Sequence, residues 1–377
     1  MRVVVIGGGI AGLSAAIGLA RQGIEVDVVE ADSPKENTGA GITLLGNALR
    51  ALGELDLADP CLEVGYGFDK IDIVDGDGNV MMSDHPPRTF RPDRPASFGI
   101  LRSQLHAVLA DGATRAGARL RYKTTVRSLV QDEDGVDVTL STGEQLRADL
   151  VVAADGTYSV TRAAVFGTEF IPEYVGQGAW RITFPRPADL QGLVLMRNRT
   201  GQAGGAIPLS DESCYVFVLE NTSERVRMSD DELPVLMAER LAAFSAPLMR
   251  AAAEALGEAT VTYRPFDILL MPTPWHRGRV VLIGDAAHSL TPQMTSGGSL
   301  ALEDSVVLSR LVATGRPLSD VLDEFGAVRY PRVAQVYDAS LQICRWEQLA
   351  DYDRSLMQQL MGQTHALMAG PFKCNTR

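Results

Sequence analysis

Three glycine-rich turns hold the residues of this chain whose types and spacing fit chemistry. Gly7, Gly9 and Gly12 stand in GGGIAG, between the β-branched run RVVVI and the helical pattern LSAAIGLARQG. In such a motif the first glycine permits a tight turn and the second lets the backbone approach a pyrophosphate. The third lets the helix lie close on the strand. Ala11 falls inside the motif, where free N–H groups of the helix start attract phosphate. Glu30 closes the next alternating run, IEVDVVE, eighteen residues beyond Gly12. A carboxylate there accepts hydrogen bonds from a ribose 2′-hydroxyl and repels a 2′-phosphate. The expected ligand is an adenine dinucleotide, FAD or NAD but not NADP, with a purely structural turn as the alternative.

Two further strands end in an acid beside a glycine: ADLVVAADG, with Asp155 and Gly156, and VVLIGD, with Asp285. Ligands of open α/β sheets sit at the carboxyl ends of the strands, so both aspartates point towards one crevice. Asp285 suits sugar-alcohol hydroxyls such as a ribityl chain. Beyond Pro292, Gly297 and Gly298 open a helix whose free N–H groups suit the negative charge of a reduced flavin. A second half-site of this kind favours FAD over NAD. Helix capping and ordinary turns are the alternative.

The elements that must position these groups follow from periodicity. Residues 2–30 form a complete βαβ unit. A Gly-rich loop over 38–47, a helical stretch to about Leu57 and a hairpin around DGDGN over 68–85 come next. A helix is expected over 100–117 and strands over 119–131, 135–141 and 148–156. From about 170 to 270 short alternating segments dominate, with one helical patch at about 230–256, which predicts a mostly antiparallel sheet. Helices fill most of 297–365. The fold class expected is α/β, a Rossmann-like dinucleotide-binding domain interleaved with a β-rich substrate domain, with helices at the C-terminus. The nucleotide-type segments are 1–70, 100–170 and 271–330, the β-rich segments 71–99 and 171–270, and a helical segment covers 331–377.

The bulk numbers are compatible with this. The 377 residues are 46% hydrophobic with a net charge of −12, which disfavours nucleic acid and anionic lipid as partners. Cys61, Cys214, Cys344 and Cys374 form no close pair, and the five histidines show no ligand spacing, so neither disulfide nor metal is expected. No apolar run reaches membrane-spanning length, and the N-terminus has no signal-peptide pattern, so a cytoplasmic protein is expected.

With these residues in view, the chain resembles the single-component, FAD-dependent aromatic hydroxylases of the para-hydroxybenzoate hydroxylase fold. Four blocks carry the resemblance: the GxGxxG-to-Glu30 unit, Arg102 opening RSQLHAVL, ADGTYSVTR (154–162) and GRVVLIGDAAHSLTP (278–292). YVGQGAWR (174–181) and VRYPRV (328–333) match more loosely. The resemblance implies that Arg102 contacts the FAD phosphates or ribityl region, that Asp285 binds the ribityl chain, and that the loop after Pro292 lies along the flavin ring. The cofactor-facing set expected is Gly7, Gly9, Ala11, Gly12, Glu30, Arg102, Val126, Asp155, Gly156, Asp285, Pro292, Gly297 and Gly298. One departure stands out: where the family has a Gly-Gln-Gly-type loop, this chain has Thr295-Ser296-Gly297-Gly298-Ser299.

The implied reaction uses NADH or NADPH as a transient reductant and O2 as co-substrate, and transfers an OH group through a flavin C4a-hydroperoxide. An electron-rich phenolic or heteroaromatic substrate is implied, with a larger polyketide or antibiotic scaffold, or a same-fold flavin reductase, as alternatives. A flavin-binding sensor that has lost turnover is the non-enzymatic reading. A monomer or homodimer is expected. The catalytic candidates are few. Arg181 in GAWRITF suits a substrate carboxylate or a cofactor anion, with a surface salt bridge as the equal alternative. Tyr215 in CYVFVL faces either cavity or core, and Thr43 follows the loop that borders the flavin in relatives. His288, three residues from Asp285, and His106 read as structural positions rather than bases.

Overall fold

The computed structural model describes residues 1–33, 41–226, 228–349 and 351–372. Cys374, the CNTR tail and residues 38–40 of the glycine-rich loop lie outside the described residues.

The N-terminal run builds the centre of a six-stranded sheet. Its order is His276–Arg277, Val280–Leu282, Leu150–Ala153, Arg2–Ile6, Glu25–Val29 and Arg119–Arg121, parallel except for the first pair. Side chains alternate across a strand, and RVVVI uses both faces. Val3 and Val5 pack under the helices Ile10–Ala20 and Gly297–Val312 in the main core. Val4 and Ile6 pack against the three-stranded sheet Gln145–Ala148, Val136–Leu140 and Val126–Gln131. Val3 to Ile6 are thus covered on both sides, which is why these four residues are all apolar. Ile10–Ala20 is likewise buried along almost its whole circumference.

The segment expected as a loop at 38–47 is instead, in its described part, the strand Gly41–Leu45. It pairs with Ser97–Leu101, which pairs in turn with Tyr66–Phe68. The β-branched pair Ile42 and Thr43 overrides the flanking glycines. The helix expected from residue 100 starts at Arg102, because Ser97–Leu101 is taken up by this pairing.

The β-rich part is an eight-stranded sheet in the order His288–Ser289, Thr260–Leu270, Glu173–Pro185, Ser213–Asn221, Ala203–Pro208, Leu193–Arg197, Ile71–Asp75 and Val80–Asp84. The hairpin around DGDGN supplies its last two strands. All its pairings are antiparallel except Leu193–Arg197 with Ile71–Asp75. Alternation again sorts the side chains. Trp180, Ile182, Val216 and Val218 face a core shared with residues of the helices Glu232–Ala242 and Pro247–Glu254. Arg181, Tyr215 and Phe217 therefore point to the opposite face.

A 30-residue helix, Leu318–Glu347, runs through residue 331 without a break, so the expected boundary at 330/331 falls inside it. The last helix, Arg354–Ala369, leaves end carbonyls without intrahelical partners. Arg50 and Arg332 donate to the carbonyls of Leu367, Met368, Ala369 and Gly370, tying that end to the core. Among the described residues no helix is long and apolar enough to cross a membrane.

Candidate active site

Gly7 and Gly12 build the first turn and do not line the site. Gly7 has φ +104°, and a Cβ there would lie 2.3 Å from the Ala154 carbonyl oxygen; one on Gly12 would lie 1.9 Å from the Gly7 oxygen. Gly9 is different, since a Cβ there would meet nothing within 4 Å. It faces a cavity of about 1520 Å³ between the six-stranded and eight-stranded sheets.

That cavity brings together Gly9, Ala11, Arg102, Gly156, Asp285, Pro292, Gly297 and Gly298 with Thr43, Arg181 and Tyr215. Four sequence candidates besides Gly7 lie elsewhere. Gly12 is beneath the turn. The Glu30 carboxylate accepts from the backbone N–H of Gly8 at 2.5 Å and of Asp32 at 2.8 Å, bracing the loop from behind. Asp155 turns back on its own loop, accepting from Ser159 Oγ at 2.5 Å and the Thr161 N–H at 3.0 Å. Val126 opens a strand of the small three-stranded sheet.

Two helix N-termini open onto the cavity. Neither Ile10–Ala20 nor Gly297–Val312 has a side-chain cap or an acid in its first turn. Their first N–H groups are thus left for a ligand. Like Gly9, Gly297 has open space where a Cβ would stand, and Ser299 Oγ is buried without a partner. Between the two helix starts, Asp285 is exposed to the cavity. Desolvation by the surrounding walls raises its pKa above the usual carboxylate value, against the lowering influence of His288, Arg102 and Thr157. Thr157 Oγ1 lies 3.5 Å from Asp285 Oδ2. Two anion-seeking helix ends flanking an acceptor for hydroxyls fit the phosphates, ribityl chain and ring of FAD.

The loop between them is strained. Pro292–Met294 makes one 3-10 turn, and Thr295 then adopts φ +52°. A β-branched residue in the left-handed region is uncommon, and Thr295 lines the cavity. The departure from the glycine-containing loop therefore falls at a position that favours glycine.

The other end of the cavity is set by the exposed register of the eight-stranded sheet. Arg181 pairs with Phe217 on one side and Thr262 on the other, and Thr183 pairs with Tyr215. The Arg181 guanidinium lies beside the Tyr215 hydroxyl, and the two interact electrostatically. Burial lowers the Arg181 pKa, and Arg102 and Arg264 push it the same way, while the Tyr215 phenol opposes them. Burial raises the Tyr215 pKa, which keeps it a hydrogen-bond donor at neutral pH. Thr43 lies beside the same phenol, but its buried hydroxyl makes no well-formed hydrogen bond. Arg181 and Arg102 beside a buried phenol, with Arg264 acting on Arg181, make this end attractive to an anionic or strongly polarised ring.

Trp180, next to Arg181, faces away and donates from Nε1 to Glu220 at 2.6 Å. His288 is fully buried, with Nε2 2.6 Å from Asp304, and is no base for the cavity. His106 does line the cavity. Sequence reasoning missed Glu347, which also lines it. Its carboxylate accepts from Arg197 at 3.1 Å and from Gln293 of the proline loop at 3.1 Å, and burial raises its pKa. Its arginine partner is 150 residues away in sequence, so no local pattern pointed to it.

The family model described as FAD binding domain matches residues 1–340. A 2-heptyl-3-hydroxy-4(1H)-quinolone synthase of Pseudomonas aeruginosa is 34% identical over 360 residues, covering 92% of this chain and 90% of that protein. An FAD-dependent urate hydroxylase of Klebsiella pneumoniae is 30% identical over 349 residues, covering 88% and 87%. The crystal structure of a single-substitution variant of Klebsiella pneumoniae HpxO complexed with FAD superposes with a TM-score of 0.87 at 25% identity, covering 99% of this chain and 100% of that one. The chain belongs to the FAD binding domain family and is an FAD-dependent monooxygenase of the para-hydroxybenzoate hydroxylase fold.

Proposed function

We propose that the protein hydroxylates a small heteroaromatic ring, with NADH or NADPH as reductant and O2 as co-substrate. The observation that carries this reading is the continuity of one cavity from the two uncapped helix N-termini to the Arg181–Tyr215 pair. The urate and quinolone substrates in the relatives' names are nitrogen heteroaromatics. FAD, when bound, supplies the redox chemistry and the activation of oxygen.

The chain's own residues do the rest. Gly9, Ala11 and Arg102 hold the phosphate side, and Asp285, Gly297 and Gly298 hold the ribityl chain and the ring's polar edge. Arg181 orients the substrate through an ionised or polarised oxygen, and its charge favours deprotonation of that group. The Tyr215 hydroxyl donates to the same region and fixes the ring's rotation, with Thr43 packed beside it. The two sheets and the C-terminal helices limit access of water, which strengthens each of these contacts.

The test is to purify the protein, record its visible spectrum, and follow NADH and NADPH oxidation with oxygen uptake over hydroxypyridines, quinolones and purines. A flavin spectrum with ring-dependent oxygen uptake and one added oxygen in the product supports the reading. A flavin spectrum with no oxygen use on any ring overturns it.

A further inference from the structure

The cavity measures about 1520 Å³, and a single ligand site commonly measures about 300–1,000 Å³, so a cofactor and a second ligand both fit. The part beyond the two helix N-termini runs along the eight-stranded sheet, and its lining changes character in strand order.

Register defines a row that starts at Arg181. Arg181 pairs with Phe217, Phe217 with Gly205, Gly205 with Leu195, and Leu195 with Ile73. Members of one row share a face of the sheet. All but Gly205 line the cavity, and the row runs from a cation to apolar groups. The neighbouring row of Tyr215, Ile207 and Leu193 is buried in a small core with Phe68 and Leu209. Leu195 and Phe217 pack only partly against that core and keep apolar surface towards the cavity. Met357 and Met361 of the last helix, with Tyr352 before it, line the same space. Gly205 keeps the floor low, since a Cβ there would lie 2.7 Å from the Phe217 ring.

Three strand spacings of about 4.8 Å separate Phe217 from Ile73, so the apolar trough extends roughly 14 Å beyond Phe217, the strand neighbour of Arg181. It then ends in charge, where Asp75, Asp77, Arg199 and Arg354 line the cavity.

We infer that the substrate is a heteroaromatic ring carrying an unbranched aliphatic tail, with the ring at Arg181 and Tyr215 and the tail along Phe217, Leu195 and Ile73 beneath Met357 and Met361. The inference rests on the heteroaromatic reading above and adds the tail to it. A polar or compact substrate leaves this surface wet, and burial of apolar area is the force that would fill it. Methionines suit such a chain because their flexible thioethers adapt to it. The charged rim sets the tail's length.

The experiment uses FAD-loaded enzyme without reductant, so that no turnover occurs. Binding of 4(1H)-quinolone and its 2-propyl, 2-pentyl, 2-heptyl, 2-nonyl and 2-tridecyl derivatives is measured by equilibrium dialysis. Affinity should rise roughly three- to fourfold per buried methylene and level off once the chain reaches the charged rim. Leu195→Trp should shorten the optimal chain and lower the affinity ratio of the heptyl compound to the parent ring at least tenfold. Leu195→Ala should lower that ratio without filling the trough. Equal affinity across the series, with the parent ring bound, overturns the tail and leaves the heteroaromatic reading standing. An unchanged chain-length profile in folded Leu195→Trp overturns the placement. If no ring, tailed or bare, binds or stimulates oxygen uptake, both readings fall.

Discussion

The Asp304 carboxylate accepts a hydrogen bond from the backbone N–H of Gly284 at 2.9 Å, one residue before Asp285. The same carboxylate takes His288 Nε2 at 2.6 Å and Arg329 Nε at 2.8 Å. Glu303, its neighbour, takes Arg329 and Arg332 at 2.8 Å each and Asn47 at 2.9 Å. The turn that presents Asp285 is thus bolted to a buried ionic cluster that joins three helices. Asp304→Asn leaves Arg329 short of a counter-charge inside the core. It should cost about 3–5 kcal/mol of stability and weaken FAD binding, read by urea denaturation and by flavin fluorescence on dilution.

The cluster also sets an acid limit. Arg329, with His288 at Asp304 and Arg332 at Glu303, lowers both carboxyl pKa values, against the raising effect of burial. A carboxyl whose folded pKa is depressed contributes stability that is fully present above its unfolded pKa, about 3.9–4.3. That contribution is lost as pH falls through the lower folded value. The urea midpoint should therefore decline with increasing steepness below about pH 4. In Glu303→Gln, compared with wild type at each pH, that acid-side decline should be shallower.

Gly9 and Gly12 should separate cofactor binding from folding. A Cβ at Gly9 meets open cavity, and its backbone is extended with φ −79°. Gly9→Val should fold with wild-type circular dichroism and lose its flavin absorbance. A Cβ at Gly12 would sit 1.9 Å from the Gly7 oxygen, so Gly12→Val should fail to accumulate as folded protein, judged by soluble yield and thermal melt.

Arg181 and Tyr215 should affect substrate more than cofactor. Hydrogen bonds to charged groups contribute about 1.5–3 kcal/mol, so Arg181→Gln should lower kcat/KM roughly 10- to 150-fold. Flavin content should stay at the wild-type level. Tyr215→Phe should cost less and spare the response of KM to ring acidity, since the guanidinium remains. Loss of flavin in either variant would contradict this division.

Thr295 carries strain that glycine would relieve. A non-glycine residue held at such a φ costs on the order of 1–3 kcal/mol. Thr295→Gly should recover part of that, less the greater freedom of glycine in the unfolded chain. The thermal midpoint should rise, and the loop's amide protection from hydrogen exchange should fall.

The sequence by itself determined the parts whose physics is local. Gly7, Gly9 and Gly12 announce a phosphate turn because glycine spacing, a preceding apolar strand and a following helix are all adjacent in the chain. Gly284-Asp285 and Gly297-Gly298 are legible for the same reason, and alternation in GAWRITF and CYVFVL marks strands with two unlike faces. Only the tertiary structure decided which face meets the cavity. Strand pairing turns Arg181 and Tyr215 to the cavity and Trp180 to the core beneath the two helices, and a one-residue slip would have reversed them. It likewise made Glu347 a partner of Arg197 and Gln293, buried His288 against Asp304, and ran the row from Arg181 to Ile73 across five strands. Those relations join residues far apart in the chain, and register and burial, which no short stretch encodes, are what bring them together.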